Sequence, residues 1–187
     1  MPNWGDRIEI RVHGRGGQGT VTLAALIVDA AFRSGKQALG FPTFGTERTG
    51  APVAAYVRLD ITPILDRSEV HRPTFVLVQD PTLIGAIDVA AGLVPGGLIL
   101  LNAERVPDGL AGMPVATLPA TALALEHLGS AKTSTAMLGF FTAVTGITTM
   151  DAVCDAIRDR FVPAIAEPNV VLARAAFAAA EPARPAA

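Results

Sequence analysis

The chain has 187 residues, half of them hydrophobic and only 17% charged, against about 25% charged in ordinary globular domains. That length suits one domain with a full core. A net charge of -2 with no basic run excludes a nucleic-acid binder, and no apolar stretch reaches the roughly 18 residues of a membrane span. Mean hydropathy of +0.42 exceeds what one small domain normally hides, so other chains are expected to cover part of the surface. Cys154 is the single cysteine, which excludes a disulfide framework and a cysteine-ligated iron–sulfur cluster within this chain. With no signal-like N-terminus, a reducing cytoplasm is the expected setting.

Strand signals come first at Arg7–His13, where apolar and polar residues alternate. The glycine-rich "HGRGGQGT" then turns into a helix from about Gln18 to Ser34, with Gly35 behind it. A strand over Gln37–Phe41, the loop "PTFGTERTGAP" (Pro42–Pro52) and a strand in "VAAYVRL" follow. The buried strand "FVLVQ" (Phe75–Gln79) ends at Asp80-Pro81, an N-cap followed by proline at the first helical position, which predicts a helix through about Ala91. "GLILLN" and "PVATL" predict two further strands. Helices are expected over Pro119–Leu128, Thr133–Thr145 and Met150–Phe161, the first two closed by Gly129 and Gly146. From Pro163 the chain is an alanine-rich tail, and its final "EPARPAA" is expected to be loose. Alternating strands and helices predict a single α/β domain, Rossmann-like and doubly wound, with a mainly parallel sheet.

Two loops carry unusual chemistry. Gly14-Arg15-Gly16-Gly17-Gln18-Gly19 satisfies the G-x-G-x-x-G pattern, whose backbone amides open a helix N-terminus and suit an anion. A dinucleotide site also needs an acid at the end of the second strand for the ribose hydroxyls. Here that strand ends in "ALGFPTF", while Asp29 lies inside the first helix and Glu47 inside the next loop. The glycines alone are also consistent with close helix–strand packing. Arg15 and Gln18 are harder to assign to packing, and a guanidinium beside anion-binding amides suits a phosphate-bearing or acidic group. The second loop, "FGTERTGAP", places Glu47 and Arg48 side by side between Gly45 and Gly50. In a doubly wound sheet the two loops are expected to meet at the C-terminal edge.

Other candidates carry less. His13, His71 and His127 lack zinc-site spacing, and Cys154 sits on an amphipathic helix as a packing residue. The uncharged "STAMLGFFTAVTGITTM" predicts a helix buried beneath its neighbours or at a subunit contact. No nucleophile elbow, C-x-x-C or P-loop lysine occurs, so the chain contains no catalytic constellation of its own.

Taken together, "GRGGQGTVTLAALIVDAAFRSGK", "FPTFGTERTGAPVAAYVRL", "QDPTL", "PGGLILLN" and "TAMLGFFTAVTGI" closely resemble the gamma subunit, or the equivalent domain of fused enzymes, of the 2-oxoacid:ferredoxin oxidoreductases, pyruvate type. The resemblance runs from about Arg7 to Asn169. Thr49 departs from it, since many relatives have a second arginine there. It implies a Rossmann-like domain over residues 1–180, without a bound dinucleotide, and a loose tail over residues 181–187. It further implies membership of a complex (EC 1.2.7-like) that oxidatively decarboxylates a 2-oxoacid on thiamine diphosphate and magnesium. Such a complex passes electrons through iron–sulfur clusters and usually delivers the acyl group to coenzyme A. The implied partners are alpha and beta thiamine-binding subunits and a ferredoxin-like iron–sulfur subunit. By the same resemblance no residue here is catalytic. Gly14, Arg15, Gly16, Gly17, Gln18 and Gly19, with Phe44, Gly45, Glu47 and Arg48, would contact coenzyme A or a neighbouring subunit. A free-standing dinucleotide-binding oxidoreductase and a regulatory module stay open as alternatives, and the 2-oxoacid stays open as well.

Overall fold

The first strand, β1 (Ile8–Arg15), is the hub of the molecule, and the computed structural model describes residues 4–42 and 49–180 around it. The chain leaves β1 through α1 (Thr20–Arg33) to β2 (Gln37–Pro42), then returns along β3 (Pro52–Asp60) between β2 and β1. It continues on the other side of β1 with β4 (Phe75–Val78), β5 (Leu98–Asn102) and β6 (Val115–Leu118). The sheet order is therefore β2-β3-β1-β4-β5-β6. β1, β4, β5 and β6 pair in parallel, and β3 runs antiparallel to both neighbours. The expected α/β domain with a mainly parallel sheet is present, with one antiparallel strand inserted, but α1–α5 all share one core, so the described residues do not show the expected helices on both faces.

Alternation along β1 separates two environments. Ile8, Ile10 and Val12 join the large core with α1, α2 (Ala120–Leu128), α3 (Ser134–Thr145), α4 (Met150–Arg160) and α5 (Pro163–Ala179). In that core Phe75 sits edge-on to Trp4 at 4.7 Å and to Phe141 at 5.8 Å, contacts worth roughly 0.5–1.5 kcal/mol each beyond area burial. The uncharged α3 is buried along almost its whole length. This chain's own helices cover it, so it supplies none of the surface offered to other chains.

The opposite sheet face carries Glu9, Arg11 and His13 of β1 and Tyr56 and Arg58 of β3. Arg58 is 2% exposed; it meets Glu9 at 2.8 Å and donates to the carbonyls of Asp66, Ser68 and Glu69. Arg11 donates to the carbonyls of Val70, Val89 and Ala91. Two buried guanidiniums thus staple irregular chain over this face. Beside them, Val76, Val78, Ile99 and Leu101 form a second small core with Leu83, Val89 and Leu110.

Two expectations are corrected. The helix predicted from Pro81 to Ala91 is only a 3-10 turn, Pro81–Leu83, although the Asp80 cap and Pro81 are placed as expected. Ile84 is already extended and Gly85 adopts φ +91, a left-handed conformation that ends the turn. The alanine-rich tail is, conversely, the longest helix described. Ala166, Val170, Ala173 and Ala176 are buried along one face of α5. Alanine is the best helix former, and Pro163 occupies the first turn, where its missing N–H is harmless. Pro168 inside the helix obscured this pattern. Residues 181–187 lie outside the described residues.

Candidate functional site

The candidate site lies where β1 turns into α1, at the C-terminal edge of the sheet. Gly17 and Gly19 adopt φ +91 and +81, conformations natural only for glycine. A Cβ at Gly14 would overlap Thr20 Oγ1, and one at Gly19 would fall 2.5 Å from Ser134 Oγ. Gly19 caps α1 with no side-chain hydrogen bond, and its first turn contains no acidic residue. The leading amides of α1 therefore have no acceptor within the helix and sit at the positive end of its dipole. They open on a cleft of about 400 Å³ lined by Arg15, Gly17, Gly19, Thr20, Thr22 and Thr49, among others.

The loop is set by its own polar side chains. Gln18 Oε1 accepts from the Arg15 amide at 2.7 Å, while Gln18 Nε2 donates to Asp80 Oδ2 at 2.7 Å. The Arg15 guanidinium meets Asp80 Oδ2 at 3.2 Å, donates to Thr82 Oγ1 at 2.8 and 3.1 Å, and reaches the Gly50 carbonyl at 3.0 Å. The second glycine loop does meet the first. Gly16 N donates to the Ala51 carbonyl at 2.9 Å and Gly50 N to the Gly16 carbonyl at 3.1 Å. The juxtaposition arises because β3 pairs directly with β1, Arg15 opposite Pro52. Phe44, Gly45, Glu47 and Arg48 lie outside the described residues.

Sequence reasoning passed over Asp80 and Thr82 as site members, reading Asp80 only as a cap. Its carboxyl does accept from Thr82 N at 2.9 Å, but its other oxygen faces the glycine corner. Burial pushes the Asp80 pKa up; hydrogen bonds from Thr82 and Gln18 and the Arg15 charge outweigh that and hold it below the ordinary carboxylate range. Asp80 is thus ionised at neutral pH. Behind it, Gln79 lies against Thr133 and Ser134, and Asn102 ties the Gln79 carbonyl to Thr121. His13, one residue before the corner, accepts from Arg11 Nε at 3.0 Å through Nε2. Cys154 is buried, in keeping with a packing role.

This geometry suits an anionic group; among the described residues it assembles no nucleophile with a base. Residues 9–179 match the pyruvate ferredoxin/flavodoxin oxidoreductase family. The chain is 44% identical over 176 residues to the pyruvate/ketoisovalerate oxidoreductases common subunit gamma of Thermococcus kodakarensis, covering 91% of this chain and 95% of that one. It is 44% identical over 170 residues to pyruvate synthase subunit PorC of Methanothermobacter thermautotrophicus, covering 91% and 94%. The crystal structure of pyruvate oxidoreductase subunit PORC from Thermotoga maritima superposes with a TM-score of 0.80 at 30% identity, covering 93% and 97%. The chain belongs to the pyruvate ferredoxin/flavodoxin oxidoreductase family, among its gamma, or PorC, subunits.

Proposed function

We propose that this chain is the gamma subunit of a multi-subunit, thiamine-dependent 2-oxoacid:acceptor oxidoreductase, working beside thiamine-binding alpha and beta subunits and a ferredoxin-like subunit. The observation that carries this reading is the match to gamma subunits along almost their whole length. One buried cysteine does not fit a cluster that needs three or four thiolates, so the iron–sulfur centres are assigned to other subunits, and thiamine diphosphate with them. The role we assign to the glycine corner is to help form the coenzyme A side of the active-site channel. The uncapped α1 N-terminus would take phosphate oxygens, and Arg15, with Arg48 from the second loop, would offset their charge. Glu47 we assign to a contact with a neighbouring subunit.

Native co-purification tests the assignment. A brown complex with at least two larger partners, active on a 2-oxoacid, is expected; a colourless, active monomer would overturn it.

A further inference from the structure

We propose that Asp80 is a positioning residue that couples the two glycine loops, holding its own turn with one carboxylate oxygen and orienting Gln18 and Arg15 with the other. The kinetic side of this inference rests on the coenzyme A reading of the corner.

The division of labour is visible atom by atom. Oδ1 accepts from Thr82 N at 2.9 Å and from Thr82 Oγ1 at 2.6 Å. Oδ2 faces Gln18 Nε2 at 2.7 Å and Arg15 Nε at 3.2 Å. Oδ2 fixes which way the Gln18 carboxamide points. Reversing the amide would set its oxygen against the carboxylate and its NH₂ against the Arg15 amide, which needs an acceptor at 2.7 Å. The same Oδ2 turns the guanidinium so that Nη1 reaches the Gly50 carbonyl at 3.0 Å. A continuous chain of contacts thus runs Thr82–Asp80–Gln18–Arg15–Gly50, from the end of β4 through the first loop into the second. The Asp80 side chain is only 12% exposed, so these charge-assisted bonds act with little competition from water. A cap of a three-residue turn needs one oxygen; the second has no part in it.

The test uses the assembled complex and three variants. Asp80→Asn is isosteric and keeps an oxygen for Thr82, since asparagine caps as well as aspartate. Its NH₂ then faces Gln18 Nε2 and Arg15 Nε, donor against donor. We expect the KM for coenzyme A to rise roughly tenfold, the size of one hydrogen bond, with kcat little changed. Gln18→Glu sets two carboxylates face to face, and the same direction is expected. Combining the two substitutions restores the alternation toward position 18: the new amide at position 80 donates to the new carboxylate there, which still accepts from the Arg15 amide, while Arg15 Nε still faces that NH₂. The KM of this double variant should fall back below that of either single variant, part of the way to the parent value. Amide hydrogen exchange at Arg15, Gly16 and Gly50 should be faster in each single variant, and in the double it should slow again at Arg15, whose amide the position-18 carboxylate holds. A purely capping role predicts a silent Asp80→Asn, and that result, or single effects that add in the double, would overturn the proposal. If Arg15→Ala leaves the KM unchanged, the coenzyme A reading fails, while the exchange pattern still decides for or against Asp80.

Discussion

Arg15 holds Asp80 and Thr82 on one side and the Gly50 carbonyl on the other, at the rim of the α1 cleft. Its side chain is 29% exposed, so it is held in place and still open to an incoming anion. Arg15→Ala should lose one charge-assisted contact, roughly 1.5–3 kcal/mol, seen as about a 10- to 150-fold rise in the KM for coenzyme A. Decarboxylation measured without coenzyme A should change little. Dissociation of the complex, with an unaltered KM in whatever stays intact, would show instead that Arg15 serves assembly. His13 makes a different prediction. Burial first, and then the nearby Arg11 charge, lower its pKa from 6.5 to about 4. Unfolded chains take up the proton below pH 6.5, but the folded chain does so only near pH 4, so folding stability falls as pH falls across that window. Between about pH 7 and pH 5 the loss from this one group should be about 2 kcal/mol. Denaturant titrations of the chain at the two pH values should show a drop that His13→Gln largely abolishes. An equal drop in the variant would mean that His13 does not titrate in this range.

At the scale of elements, α3 and α5 meet at a point that tolerates no side chain. A Cβ on Gly139 would overlap the Ala173 carbonyl oxygen, a backbone atom that no rotamer change can move away. Gly139→Ala should therefore force the helices apart and cost about 3 kcal/mol, toward the upper end for overpacking. For a chain of this size that is a fall in Tm of roughly 6–12 °C by calorimetry. Gly35 is the control: its φ of +83 strains any replacement, but nothing lies within 4 Å of its Cβ position. Gly35→Ala should cost only about 1–2 kcal/mol. If the two variants melted alike, α3 and α5 would have relaxed around the new methyl, since Gly139 has no positive φ to strain. The elements legible in the sequence are those whose periodicity matches their burial. α1 and α4 bury one face each, and β1 alternates apolar and polar residues although its polar Arg11 and His13 are buried as well. α5 was hidden because alanines give a weak hydropathy pattern and Pro168 reads as a breaker. The missing helix after Asp80 failed for the opposite reason: a correct start signal precedes Gly85, and no start signal survives a left-handed glycine so soon after it.

For the whole molecule, fold class and the meeting of the two glycine loops could be read from the strand–helix order, but the strand order could not. No local signal states that β3 turns back to lie between β2 and β1. Asp80's part in the corner was illegible for the same reason, since only the parallel pairing of β1 with β4, which sets His13 opposite Val78, brings it there. The inserted strand also bears on what the glycine corner would hold. In a dinucleotide fold the strand after the first helix lies next to β1, and an acid at its end reaches the ribose hydroxyls. Here that strand, β2, is two positions away, about 9–10 Å instead of the usual roughly 4.7–4.9 Å between neighbours. It ends in Phe41 and Pro42, with no acid on it. The position beside β1 is taken by β3, which runs the other way and begins, rather than ends, at this edge with Pro52 and Val53. An anionic group can still occupy the α1 N-terminus, but among the described residues no acid stands at the end of β2 to meet the adenosine ribose of a dinucleotide. Calorimetric titration of the chain with NAD, NADP and FAD should accordingly show no specific binding. A micromolar Kd for any of them would mean that the corner recognises a dinucleotide by contacts other than the ribose acid, and the coenzyme A assignment would lose its ground.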